Sequence, residues 1–349
     1  MLDKYRLQPY NYNIFSLYVC IIMHKIHFIM YIIYKRGALN LMTKVFIDGS
    51  AGTTGLRIYE RLGNRCDLSL IILPDEIRKN ADARYEALKE SDIAFLCLPD
   101  SAAIEAVQMA KDLDTVIIDT STAHRTNDDW TYGFAEIKNL KERIKNSKRI
   151  ANPGCHASGF IALTEPLVSA GIISENEILN CFSLTGYSGG GKNMIADYNT
   201  EERKEALEAP RMYGISQSHK HLPEMVKLSG IKNAPVFCPV VSSYYAGMEV
   251  VVPLTKAQIK GNLSDIKDTY KTYYTGNIVK FCENADEGGF VSAGDFAMRD
   301  DMQISVFGNE ERFTLVARYD NLGKGASGAA IQNMNIVLGL DEAMGLNIG

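Results

Sequence analysis

The sequence predicts an α/β protein: a doubly wound parallel sheet, followed by a mixed or antiparallel sheet covered by helices. Three observations carry this expectation. From Thr43 onward short apolar runs alternate with amphipathic stretches, and continuous apolar runs are how parallel strands buried on both faces read. A glycine-rich turn stands directly between the first apolar run and the first helix-like stretch. In the second half the apolar runs lengthen and alternate, with few helix-like stretches between them.

Residues 1–42 stand apart from this plan. Residues 14–34 are crowded with Ile, Phe, Tyr, Met and Val, but His24, Lys25 and His27 interrupt them. A spanning helix wants about 20 apolar residues with few charges, and Lys25 sits near the middle of this run. No small-residue cleavage site of a secretory signal stands out. A poor membrane anchor, an atypical targeting segment and an extension outside the working protein remain as readings. The third is favoured, because Met42 opens a clean strand, Lys44-Val45-Phe46-Ile47-Asp48.

Strands are then expected at 45–47, 68–73, 93–98, 116–118 and 148–151, with helices around 56–62, 83–89 and 102–111. Behind Asn152-Pro153-Gly154 a helix-like run begins at the cysteine. Further strands follow at 178–184, 235–241, 248–254, 302–307 and 312–319, and a last helix at 329–340. A length of 349 residues suggests two domains. The formal net charge of −5 leaves no basic footprint for nucleic acid. Seven scattered cysteines without a Cys-x-x-Cys argue for a reducing compartment, by default the cytoplasm, and against a disulfide framework or a metal site.

Asn152-Pro153-Gly154-Cys155 is the centre of the reading. Pro and Gly end the strand, so Cys155 falls at the first turn of a helix, where unpaired N–H groups and the dipole favour a thiolate. Such a thiolate is a nucleophile, and the same N–H groups stabilise an oxyanion; the competing reading is an inert buried cysteine. Gly49-Ser50-Ala51-Gly52-Thr53-Thr54-Gly55 lets backbone amides approach a pyrophosphate at a helix N-terminus, and so marks a dinucleotide site. Near the end of the second strand, Arg78 and Lys79 suit the 2′-phosphate of NADP, whereas Asp75 or Glu76 suit a free 2′-hydroxyl. Arg125, after the fourth strand, is placed to hold an anion bidentately. Gly186-Tyr187-Ser188-Gly189-Gly190-Gly191-Lys192 offers an N–H-rich loop ending in a cation. His219 or His221 suits acid/base work beside a thiolate, and Asn321 can bind an amide or merely make a turn.

Together these motifs resemble the N-acetyl-gamma-glutamyl-phosphate reductase family of arginine biosynthesis, over about Thr43 to Gly349. The carriers are the glycine turn at 49–55, Asn-Pro-Gly-Cys at 152–155, Gly-Tyr-Ser-Gly-Gly-Gly-Lys at 186–192, His-Lys-His-Leu-Pro-Glu at 219–224 and Asn-Leu-Gly-Lys-Gly-Ala at 321–326. The resemblance implies a Rossmann-type domain at 43–154 plus 322–349, and an α+β catalytic and dimerisation domain at 155–321. It implies NADPH as cofactor, an acyl phosphate as substrate and a homo-oligomer, dimer or tetramer. It makes Cys155 the nucleophile and His219 or His221 the acid/base. Arg125, Asn152, Ser188, Gly189 and Lys192 would bind substrate, and Asn321 would orient the nicotinamide. The same chemistry on aspartyl or N-acetyl-aminoadipyl phosphate is the near alternative; a non-catalytic NADP-binding sensor is the remote one.

Overall fold

The computed structural model describes residues 42–349, so nearly all of the expected extension lies outside the described residues. The main body comprises Lys44–Arg65 and Leu70–Gly349. Thr43 and Cys66–Ser69 fall in a separate small unit, within which the Thr43 amide donates to the Asp67 carbonyl at 3.3 Å.

Strands β1 (Thr43–Asp48), β2 (Leu68–Ile71), β3 (Ile93–Leu96), β4 (Val116–Asp119), β5 (Thr131–Tyr132) and β6 (Arg149–Ala151) form one sheet, in the order β2-β1-β3-β4-β6-β5. Pairings β1–β3, β3–β4, β4–β6 and β5–β6 are all parallel. Phe46, Ala94, Leu96, Ile117 and Ala151 from these strands share a core with Ala103, Ala106 and Ala110. The small alanines let the helix Asp100–Met109 lie close on the sheet. The order places the C-terminal ends of β1, β3, β4 and β6 along one edge, where open α/β sheets bind ligands.

Strands β7 (Asn180–Gly186), β8 (Arg211–Met212), β9 (Val236–Ser242), β10 (Met248–Thr255), β11 (Val279–Phe281), β12 (Met302–Gly308) and β13 (Arg312–Tyr319) form the second sheet, ordered β11-β12-β13-β10-β7-β9-β8. It is mixed: β7–β9 and β11–β12 are parallel, and β10 runs antiparallel to both β7 and β13. The helix Cys155–Ser169 packs on β10 and β13 and is buried continuously from His156 to Leu167. A helix that is apolar all round belongs in a core. Gly159 makes the approach possible, since a Cβ there would lie 2.6 Å from Val250 Cγ2 and 2.7 Å from the Tyr319 hydroxyl. Pro166 has no N–H to bond the Ala162 carbonyl; the Tyr274 hydroxyl donates to that carbonyl instead, at 2.7 Å.

The expected elements are present with shifted ends; the helices Leu140–Lys145, Gly191–Asn199 and Leu263–Tyr273 were not foreseen, nor were β5, β8 and β11, each two or three residues long. A strand that short shows no periodicity. The final helix, Gly328–Val337, follows a wide turn, Gly323–Ser327, in which the Ser327 amide reaches back to the Leu322 carbonyl at 2.9 Å.

Candidate active site

Strand β6 ends at Ala151, and the next helix starts at Cys155, with Gly154 in extended backbone as its N-cap. No side chain caps this helix and no acid sits in its first turn. Three polar side chains converge on Gly154: a Cβ there would meet Arg125 Nη1 at 2.3 Å, Glu224 Oε1 at 2.4 Å and His221 Nε2 at 2.8 Å. Only glycine fits. The Gly154 amide donates to Glu224 Oε2 at 3.1 Å, so a carboxylate holds the peptide just before the cysteine. Glu224 is 1% exposed and also accepts from Arg125 Nη1 at 2.8 Å and the Tyr132 hydroxyl at 2.7 Å. From the other side, the Tyr319 hydroxyl accepts from the Gly159 amide and donates to the Cys155 carbonyl.

Cys155 faces a cavity of about 340 Å³ that Thr54, Arg125, Tyr213, His219, Lys220, His221, Asn321 and Gly325 help to line. Its thiol does not have the depressed pKa expected of a helix N-terminus. Burial pushes it up to about 11, against the opposing pull of Arg125 and the backbone amides of His156 and Cys155. The apolar wall is close: a Cβ at Gly325 would lie 3.0 Å from Cys155 Cβ.

The two expected histidines do come together. His221 immediately precedes the helix Leu222–Ser229, its amide donates to His219 Nδ1 at 3.2 Å, and the rings lie 4.7 Å apart, nearly perpendicular. Burial, Arg125 and the neighbouring histidines hold His221 well below the usual imidazole range, and burial with Lys220 lowers His219. His221 Nδ1 is buried without a hydrogen-bond partner.

Three of the expected ligands, Arg125 and Asn152 for substrate and Asn321 for cofactor, line the cavity and also bond within the protein. Arg125 Nε donates to the Asn152 carbonyl at 2.9 Å and Nη2 to the Thr120 carbonyl at 3.0 Å, besides the bond to Glu224. Its guanidinium ties the end of β4 to the turn before Cys155. The Asn152 amide donates to the Ala326 carbonyl at 2.9 Å and accepts from Asn333 at 3.2 Å. Asn321 accepts from the Gly247 amide at 3.0 Å and donates to the Ser188 hydroxyl at 2.9 Å. These groups shape the walls of the cavity. Lys192 is exposed and lines neither the cysteine cavity nor the trench that leads to it, whereas Lys220, to which the sequence assigns no role, lines both.

The glycine turn at 49–55 has the tight backbone its spacing predicts. Gly49 has φ +86° and packs on the Cys97 carbonyl, and Gly55 stands where a Cβ would be 2.4 Å from the Gly49 carbonyl oxygen. The helix Thr53–Leu62 has neither a side-chain cap nor an acid in its first turn, which leaves a field suited to an anion. Gly49, Ser50, Gly52, Arg78 and Lys79 line one cavity, about 440 Å³. Arg78 also pairs with Asp75 at 2.8 Å. The next cavity shares Gly52, Cys97, Leu98 and Pro99 with it, and shares Thr54, Thr120, Gly189 and Lys220 with the cysteine cavity. A continuous trench thus runs from Arg78 and Lys79 to Cys155.

Residues 44–147 match a family model described as semialdehyde dehydrogenase, NAD binding domain, and residues 155–321 one described as semialdehyde dehydrogenase, dimerisation domain. The chain is 42% identical over 306 residues to N-acetyl-gamma-glutamyl-phosphate reductase of Brucella ovis, covering 85% of this chain and 99% of that protein. The enzyme of the same name from Brucella anthropi is 44% identical over 306 residues, with 85% and 98% covered. N-acetyl-gamma-glutamyl-phosphate reductase 2 of Nostoc sp. is 42% identical over 320 residues, with 87% and 99% covered. Among solved structures, aspartate semialdehyde dehydrogenase II of Vibrio cholerae superposes with a TM-score of 0.65 at 16% identity, covering 85% of this chain and 98% of that one. The Candida albicans aspartate semialdehyde dehydrogenase with NADP gives 0.61 at 13% identity, over the same shares. These two likenesses concern the fold.

Proposed function

The chain belongs to the N-acetyl-gamma-glutamyl-phosphate reductase family, and we propose that it reduces this acyl phosphate to N-acetylglutamate semialdehyde through a thioester on Cys155, with NADPH as cofactor. The trench that joins the glycine turn, Arg78 and Lys79 to Cys155 carries the reading. Residues 43–154 with 322–349 form the cofactor-binding part, and 155–321 the catalytic part.

Both the thiol and the imidazoles start neutral, with the thiol near 11 and His221 far below its usual range. A histidine of the 219/221 pair takes the thiol proton as Sγ bonds to the acyl carbon and phosphate departs. Amides at the helix N-terminus hold the oxyanion. Lys220 and the Gly189–Gly191 amides, rather than Lys192, supply the positive field for the anionic groups of the substrate. The amides of Thr53 to Gly55 receive the pyrophosphate, Arg78 and Lys79 the 2′-phosphate, and Asn321 borders the nicotinamide end. NADPH, when bound, supplies the hydride that reduces the thioester. Collapse of the thiohemiacetal frees the aldehyde, and the same histidine returns its proton to Sγ.

A homo-oligomer belongs to the proposal. Phe182 pairs with Cys238 and Val251, and Val236 with Asn180, so these side chains share one face of the second sheet. Phe182 is 46% and Val236 47% exposed there, an apolar face for a second copy to cover. The cytoplasm is the proposed compartment, supported by six free cysteines among the described residues.

The test is phosphate-dependent reduction of NADP by N-acetylglutamate semialdehyde, run beside aspartate semialdehyde. Turnover of the first and not the second is expected. Turnover of the second alone would transfer the enzyme to another acyl phosphate.

A further inference from the structure

One buried group beside the nucleophile has no part in this chemistry. His156, next to Cys155, is 2% exposed. Its Nδ1 lies 2.6 Å from Ser183 Oγ and its Nε2 lies 2.5 Å from the Tyr213 hydroxyl. Burial, with His219 nearby, pulls His156 down to about 3, so the ring is neutral and carries one N–H.

That single proton fixes the direction of the chain. Ser183 is 0% exposed, and among the described residues its hydroxyl has His156 as its only side-chain partner. If Nδ1 held the proton, the Ser183 hydroxyl proton would be buried without an acceptor, which the opposite arrangement avoids. Ser183 therefore donates to Nδ1, the proton sits on Nε2, and Nε2–H donates to Tyr213 Oη. The Tyr213 proton is left over. Tyr213 follows β8, is held by its amide to the Pro239 carbonyl at 3.0 Å, and lines the Cys155 cavity. No acceptor for its proton other than His156 exists among the described residues.

We infer that Tyr213 donates this hydrogen bond to an oxygen of the bound acyl substrate remote from the reacting carbon, with Ser183 and His156 as positioning residues that hold the phenol in its donor orientation. The oxyanion already has donors in the amides at the start of the Cys155–Ser169 helix, which no side chain caps. Carboxylate and acetamide oxygens are acceptors of the kind required. The inference rests on the acyl-phosphate reading above.

The test is a pair of variants and their combination, with turnover measured on whichever acyl phosphate the wild type reduces. Tyr213→Phe should raise KM for the acyl phosphate by about 10–100-fold, the range of one hydrogen bond to a charged oxygen. Its kcat, its KM for NADPH and the rate of Cys155 alkylation should stay within about threefold of wild type. Ser183→Ala should raise the same KM by a smaller factor, and should add nothing in the Tyr213→Phe background. An unchanged KM in Tyr213→Phe, a fall in kcat alone, or independent effects of the two substitutions would overturn the inference while leaving the enzyme's function intact. A wild type that reduces no acyl phosphate would overturn both.

Discussion

Arg125→Lys decides between two roles for the arginine, because it keeps the charge and removes the fork. A substrate anchor would tolerate lysine in the fold and lose affinity. The geometry gives the other answer. Arg125 is 9% exposed and donates three hydrogen bonds, to Glu224, the Asn152 carbonyl and the Thr120 carbonyl. A lysine ammonium on a thinner stem reaches one of these acceptors and leaves two unbonded, each worth about 1.5–3 kcal/mol where a charge is involved. Glu224 would keep a counter-ion but lose its best geometry, so the destabilisation should be about 3–5 kcal/mol. With a urea slope of about 3 kcal/mol per molar, the unfolding midpoint should fall by about 1–2 M. In the assay, kcat should fall more than KM rises, because the Asn152–Gly154 turn that aims Cys155 loosens. An unchanged urea midpoint with a hundredfold higher KM for the acyl phosphate would refute this reasoning and restore Arg125 as a substrate ligand.

Replacing Arg78 and Lys79 together with Ala should weaken NADP far more than NAD, by about 1.5–3 kcal/mol for each charge-assisted hydrogen bond removed; equal weakening would mean that the ribose pocket lies elsewhere. Alkylation of Cys155 in the free protein should accelerate with pH toward a midpoint near 11, as burial dictates, and a midpoint below 8 would mean that the helix N-terminus and Arg125 outweigh burial. His156 contributes to the pH dependence of stability. Its folded pKa is near 3 against about 6.5 unfolded, so its contribution is full above 6.5 and is lost as pH falls toward 3. The slope of stability against pH between these limits should be shallower in His156→Gln by about 1.4 kcal/mol per pH unit, and identical slopes would show that the imidazole is not held neutral.

What the sequence made legible was local. The glycine turn, the strand break at Asn152-Pro153-Gly154 and the helix behind it depend on neighbours in the chain, and the structure places all three where their spacing indicates. The roles of Arg125, Asn152 and Asn321 depend on partners 99, 181 and 74 residues away, namely Glu224, Asn333 and Gly247. No local pattern announces those partners, so the bracing bonds these residues make were not legible in the sequence. Glu224 was visible as the last residue of the 219–224 motif, but its burial beneath the turn before Cys155 was not. The direction of the Cys155 shift failed for a related reason: a helix N-terminus can be read from sequence, whereas the desolvation that opposes it is a sum over distant chain. Lys192 looked like the cation of its loop, yet Lys220 is the lysine that lines the cavity.

The covalent step is tested most directly by mixing stoichiometric protein with the acyl phosphate in the absence of NADPH, and measuring released phosphate and the mass of the Cys155 peptide after an acid quench. A thioester mechanism predicts a burst of one phosphate per chain and an acyl group on Cys155, both abolished in Cys155→Ser. Phosphate release that waits for NADPH, with an unmodified Cys155 peptide in an enzyme that turns over normally, would contradict it.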